Sequence, residues 1–313
     1  MMAAVVYRVT MANPRIAPLE YALAYAAQQV APLVFRPPAI PKPAYSLDPP
    51  GVVRVPTRHG PVRCFVYRPH PSSPLSGTSD RRPPLHIDIH GGGFVLRNTH
   101  EDAHICRFLA SDVGCVVLAI DYHAAPQVTF PVAEQECIDV LQWALDNADQ
   151  QGWDADRVSV GGASAGAKLS MNLAQHSHDA DIALRAAVLS YAVADCTRAD
   201  RTSPKSNAAI SPRLQKLSAK LYFVDPASHD DPIASPYHDA DLPMKMPPTL
   251  IQTGDLDTLG PEMIEIAERL RAAGVDVIHT GYPTDHAFNT QGDRAIMDTS
   301  IREIGAFLLA RLA

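Results

Sequence analysis

Apolar residues along this chain fall into short runs of strand length, separated by stretches in which they recur at helical spacing. Residues 85–89 (LHIDI) and 116–120 (VVLAI) are the clearest strands, and the second is uninterrupted, as in a strand covered on both faces. Residues 52–55 and 62–67 predict two earlier strands; Val158 with Val160, and segments 186–189, 249–251 and 275–278, predict four later ones. Between them, helices are predicted over 100–109 and over 132–145, where Ile138, Leu141 and Leu145 share a stripe. A further helix over 262–270 follows Pro261 and stops before Gly274, and Ile301, Ile304, Leu308 and Leu312 mark a C-terminal one. Strands alternating with helices predict an α/β fold, a mostly parallel sheet with helices on both faces.

Three segments break the alternation. Ile16, Leu19, Leu23 and Val30 recur at helical spacing among alanines before a proline-rich run from Pro37 to Pro50, which suggests a helix covering the domain or part of a lid. Segment 69–84 is rich in Pro, Ser and Gly and reads as an exposed loop. Segment 192–248, with a helical patch near 214–221, is too long for a simple crossover and reads as an insertion.

Composition narrows the class without choosing within it. The 313 residues can bury a large core, and 46% hydrophobic with 19% charged residues is ordinary for a globular enzyme. A net charge of -7 with no basic run gives no support to a nucleic-acid surface. The apolar start, residues 1–6, is too short for a signal peptide, and no run is long enough to cross a membrane. Five scattered cysteines without a CxxC pair read as core or surface thiols and favour a reducing, cytoplasmic setting.

Chemistry enters with residues 157–166, RVSVGGASAG. An apolar strand runs into Gly162-Ala163-Ser164-Ala165-Gly166, and a helical pattern follows. That context turns a commonplace G-x-S-x-G into a sharp strand-to-helix turn lifting the Ser164 hydroxyl to a helix N-terminus. Residues 85–94, LHIDIHGGGF, place three glycines directly after a strand, where the main chain must bend or approach a ligand. A phosphate-binding loop would need a G-x-G-x-x-G or Walker spacing, which is absent. Amide donors from this loop and from Ala165 could meet over an oxyanion.

A serine nucleophile needs a base, and the base an orienting carboxylate. Segment 249–259, TLIQTGDLDTL, ends a strand with two acids, Asp255 and Asp257, which pattern alone does not separate. His286, in DHAFN after the next strand, stands where the base belongs, whereas His279 falls within that strand. His100 and His104 lie one helical turn apart without an HExxH signature and read as helix-surface or cap-adjacent residues; no metal or other cofactor is implied.

From about residue 84 onward these motifs resemble the hormone-sensitive lipase-like branch of α/β-hydrolases, esterases with a triple-glycine oxyanion motif. His90-Gly91-Gly92-Gly93-Phe94 looks like the family's HGGGF, and Gly162–Gly166 takes the place of its G-D-S-A-G. Asp121-Tyr122-His123, Ala125-Pro126 and Phe130-Pro131 are similar to its D-Y-R-L-A-P-E segment ending in F-P, and Asp231-Pro232 and Ser235-Pro236 to its D-P and S-P pieces. Leu256-Asp257-Thr258-Leu259 looks like its D-P-L, which selects Asp257 over Asp255, and His286-Ala287-Phe288 like its H-G-F. The resemblance implies an eight-stranded α/β-hydrolase core over residues 51–196 and 246–313, with a helical cap from 1–50 and 197–245. It implies catalytic Ser164, Asp257 and His286, an oxyanion hole of the Gly92, Gly93 and Ala165 amides, a small ester of short to medium acyl chain as substrate, and possible homodimers. Three departures mark a divergent member: Ala163 for the usual aspartate, Ala167-Lys168 for the usual small pair, and His123 for the usual arginine. The same machinery would serve an amidase or formamidase, and a filled pocket would make a binding protein on the same scaffold.

Overall fold

The computed structural model describes residues 16–34, 38–77, 81–196, 198 and 201–313, so the apolar start at residues 1–6 and Pro37 lie outside it. Eight strands form one sheet: β1 (Gly51–Thr57), β2 (Gly60–Tyr67), β3 (Pro84–Ile89), β4 (Val116–Asp121), β5 (Asp154–Ala163), β6 (Leu184–Ser190), β7 (Thr249–Gly254) and β8 (Val277–Tyr282). Their spatial order is β1-β2-β4-β3-β5-β6-β7-β8. The β1–β2 hairpin pairs antiparallel, β2 runs antiparallel to β4, and every other pairing is parallel. This is the mostly parallel α/β-hydrolase sheet.

Strand alternation divides the interior in two. In β4, Val116, Leu118 and Ile120 face one core, while Val117 and Ala119 face the other. The first core also takes Leu85, Ile87 and Ile89 of β3 and is covered by the helices Val132–Asp146, Ala165–Asp179 and Gly260–Ala272. The second is covered by the helices Ala103–Phe108 and Arg294–Leu312, the latter capped by Asp293, whose carboxylate accepts from the amides of Ala295 and Ile296. Burial on both faces is why β4 reads as an unbroken apolar run. The edge strand β1 exposes most of its residues.

Helix boundaries depart from the pattern at two places. The predicted 100–109 helix begins only at Ala103, so His100 sits in the preceding turn; the chain then continues as a π-helical turn, Leu109–Val113. That turn ends at Gly114, where φ is +91° and a Cβ would lie 2.6 Å from the Leu75 nitrogen, so only glycine fits. The predicted N-terminal helix spans Pro18–Val34, but Leu19, Leu23 and Val30 are exposed. Among its described side chains the buried ones are Ala24, Gln28 and Ala31, and Gln28 Nε2 donates to the carbonyls of Val95 and Ala125, both at 2.6 Å. The 192–248 insertion carries the helix Pro212–Tyr222, started by Ser211 and Pro212, and a one-turn helix, Leu242–Lys245. All five cysteines are buried and free.

Candidate active site

Strand β5 ends at Ala163, and the helix Ala165–Asp179 starts two residues later. Ser164 between them takes φ +54° and ψ -119°, a conformation that side-chain-bearing residues rarely adopt. The turn closes because its flanks are glycines. A Cβ on Gly162 would lie 2.3 Å from the Ile89 carbonyl oxygen, and one on Gly166 only 1.8 Å from the same atom. The Ser164 amide donates to the Ser190 carbonyl at 2.9 Å, anchoring the turn to β6.

The Ser164 hydroxyl lies 2.9 Å from His286 Nε2, and His286 Nδ1 lies 2.7 Å from Asp257 Oδ2. The side chains of Asp257 and His286 are buried, and the second Asp257 oxygen accepts from the Leu259 amide at 3.1 Å. With Nδ1–H donating to the carboxylate, Nε2 is left to accept from the serine. Of the two acids that pattern could not separate, Asp257 reaches the imidazole. Asp255 is exposed beside Gly281, its amide bonded to the Tyr282 carbonyl. His279 is in β8 and bonds Thr253 Oγ1.

The glycine loop abuts Ser164. A Cβ on Gly91 would meet the Ala163 carbonyl oxygen at 3.1 Å and Ser164 Cβ at 3.5 Å. Gly92 (φ +116°) and Gly93 (φ +59°) turn the chain back on itself, and the Leu96 amide closes the turn on the Gly92 carbonyl at 2.9 Å. Beneath the loop His90 stacks on Tyr122 with centroids 4.4 Å apart, and Tyr122 Oη donates to the His90 carbonyl at 3.2 Å. Burial lowers the His90 pKa, so its ring is a neutral support. From the insertion, Ser218 Oγ donates to the Gly93 carbonyl at 2.5 Å.

These groups open into a cavity of about 500 Å³ that contains Ser164, His286 and the three glycines. The insertion supplies Leu214, Leu217 and Leu221 to its wall, and the N-terminal helix supplies Leu23 and Ala27. The walls are thus mainly apolar, with Glu101 an acidic exception: burial raises its carboxyl above the usual range, and it accepts from Thr290 Oγ1 at 3.2 Å. Among the described residues, no three His, Cys, Asp or Glu side chains gather as a metal site would need.

Several site residues carry no local signal in the sequence. Tyr191 (φ +38°) sets its ring edge-on to His286 with centroids 4.7 Å apart. Asp285 accepts from the His286 amide at 2.8 Å and from Lys205 Nζ at 2.9 Å. Burial opposes its ionisation, but these bonds hold its carboxyl below the usual range. Ala163, at the position where the family motif usually has an aspartate, packs with Tyr191, Tyr282 and Phe288, an apolar support for the elbow in place of a polar one. His123 pairs with Glu136, its Nδ1 2.6 Å from Oε1. His104 is no helix-surface residue: it is buried, its Nε2–H donates to the Asn289 carbonyl at 2.7 Å, and burial lowers its pKa to about 4.

Residues 86–290 match the family model described as alpha/beta hydrolase fold. The chain is 28% identical to an acetyl esterase of Salmonella choleraesuis over 82% of its own length and 79% of that protein's. It is 31% identical to an ethyl acetate hydrolase of Pseudomonas putida, over 71% of this chain and 69% of that one. Among solved structures, an ester-hydrolase from the metagenome of Lake Arreo superposes with a TM-score of 0.80 at 26% identity, covering 94% of this chain and 92% of that one. An esterase of Pyrobaculum calidifontis does so with a TM-score of 0.77 at 26% identity, covering 94% and 93%. The chain belongs to the α/β-hydrolase family, in its hormone-sensitive lipase-like carboxylesterase branch.

Proposed function

We propose that, in the hydrolysis of carboxylic esters that this protein carries out, Ser164 is the nucleophile, His286 the general base and Asp257 the orienting acid. His286 takes the Ser164 proton as the hydroxyl oxygen attacks the ester carbonyl, and Asp257 stabilises the imidazolium that forms. The amides of Gly92, Gly93 and Ala165 receive the oxyanion; one such donor is worth about 3 kcal/mol in the transition state. The tetrahedral adduct expels the alcohol, which His286 protonates, leaving an acyl-enzyme. Water activated by His286 then attacks the acyl carbonyl, and collapse of the second adduct frees Ser164 and the acid.

The hydrogen-bonded chain Ser164–His286–Asp257 is the observation that carries this reading. A cavity of about 500 Å³ walled by leucines suits short to medium acyl chains, as do the acetyl ester and ethyl acetate named for two relatives. In this reading the cap is the N-terminal helix with residues 197–245. The enzyme works as a homodimer in the cytoplasm, a setting in keeping with five buried free thiols, and no helix among the described residues is long and apolar enough to cross a membrane.

Hydrolysis of p-nitrophenyl esters from acetate to decanoate, with the matching anilides alongside, tests the substrate class. Turnover of esters peaking at or below octanoate is the expected result. Preference for the anilides would overturn it in favour of an amidase.

A further inference from the structure

Lys168 is a basic residue shut away from the surface. It lies on the first turn of the helix that follows the nucleophile, its side chain is 0% exposed, and its ammonium ion-pairs with Glu134, 1% exposed, on the helix Val132–Asp146. The other Glu134 oxygen accepts from Tyr222 Oη at 2.6 Å, and Tyr222 Oη in turn accepts from the Ala133 amide at 3.0 Å. Tyr222 ends the insertion's helix Pro212–Tyr222. Around the ammonium stand three rings, Phe94, Phe130 and Phe223, whose centroids lie 5.6, 5.5 and 5.5 Å from Nζ. Phe94 also stacks on Tyr222 with centroids 4.9 Å apart and planes 6° from parallel.

A buried ion pair is a poor source of stability, because desolvating both charges offsets most of their attraction. Its value lies in geometry, since the charges accept few arrangements. Here the Lys168 ammonium, held by Glu134, meets the Phe94 ring and so joins the two segments that carry the oxyanion donors. Phe94, at φ +62°, directly follows Gly93, and Lys168 is three residues beyond Ala165 on the same helix. The third member, Tyr222, comes from the segment whose Ser218 bonds the Gly93 carbonyl.

We propose that Lys168, paired with Glu134, is a positioning residue for the oxyanion pocket: its ammonium holds the Phe94 ring, and with it the Gly93 turn, in register with Ala165 and with the helix ending at Tyr222. The inference rests on the acyl-transfer reading above. Removing the charges relaxes the glycine turn without altering the Ser164–His286–Asp257 chain, so the loss falls on oxyanion stabilisation and leaves ester binding intact.

The test uses the Lys168→Met/Glu134→Leu double variant, which removes both charges at similar volume and strands neither, with Tyr222→Phe as a gentler perturbation. For each, kcat and KM on p-nitrophenyl butyrate, Ki for an alkyl trifluoromethyl ketone and Tm are measured. The ketone adds Ser164 to form a hemiketal oxyanion and so reports on the pocket directly. For the double variant we expect Tm within about 5 °C of wild type, KM within about threefold, and kcat lowered about tenfold with Ki raised to match. Tyr222→Phe shifts kcat and Ki in the same directions by about threefold. Should the double variant not fold, Tyr222→Phe decides alone. Wild-type kcat and Ki in the folded variants would overturn the positioning role, as would a rise in KM with Ki unchanged. A wild-type protein that turns over no ester would instead overturn the acyl-transfer reading on which the proposal stands.

Discussion

Substituting the two neighbouring acids one at a time separates orientation of the base from mere proximity of charge. Asp257 Oδ2 sits 2.7 Å from His286 Nδ1, and its partner oxygen is committed to the Leu259 amide. In Asp257→Asn the side-chain volume is kept, but an amide NH2 facing Nδ1 favours the tautomer with the proton on Nε2. That nitrogen can then no longer accept from Ser164, and the imidazolium loses its counter-charge in a buried site. The expected fall in kcat is about 10⁴-fold, with KM nearly unchanged. Asp255 is exposed and makes no contact with His286, so Asp255→Asn should stay within about threefold of wild type, surface charges being well screened. Steady-state hydrolysis of p-nitrophenyl butyrate at pH 8, with circular dichroism to confirm folding, measures both. Equal losses in the two variants, or an Asp257→Asn enzyme keeping more than about a tenth of wild-type kcat, would refute the orienting role and the tautomer argument with it.

Three further outcomes follow from the structure. Gly166→Ala, whose Cβ would lie 1.8 Å from the Ile89 carbonyl oxygen, should give no soluble folded protein, whereas Gly274→Ala, at φ +87° in open space, should cost only about 1 kcal/mol by urea unfolding. Burial lowers the His86 pKa to about 3, so below pH 6.5 the unfolded chain binds a proton that the fold refuses, and stability drains as pH falls. His86→Leu should therefore gain stability relative to wild type by about 1.4 kcal/mol per pH unit below 6.5, and a pH-independent difference would contradict this. Asp88 on the same strand, raised to about 7 by burial, acts in the opposite sense, which is why the comparison must be made against wild type at each pH. Leu217→Trp, on the cavity wall, should lower kcat/KM for hexanoate about tenfold while leaving acetate within about threefold.

The sheet was legible because its central strands are buried on both faces and so carry few polar residues to blur the pattern; His86 and Asp88 interrupt it in β3, and both are forced toward neutrality. The N-terminal helix was legible in position but not in facing. Its large apolar residues Leu19, Leu23 and Val30 are exposed, and Gln28 is turned inward to satisfy two carbonyls. Ser164 and His286 could be proposed from the sequence because each follows a strand in the order this fold requires. The choice of Asp257 over Asp255 needed the family motif, since two residues of offset on a loop carry no periodic signal. Lys168, Ser218 and Tyr191 were invisible as site residues because their partners are distant in sequence: Glu134 lies 34 residues from Lys168, and Ser218 lies 125 from Gly93.

In the proposed mechanism Ser164, activated by His286, attacks the ester carbonyl. Intact-mass measurement after treatment with an alkyl fluorophosphonate, followed by peptide mapping, tests it most directly. One phosphonyl adduct per chain is expected, located on Ser164, formed in step with complete loss of esterase activity and absent from Ser164→Ala. Activity lost with the label on another residue, or undiminished ester turnover by Ser164→Ala, would contradict it.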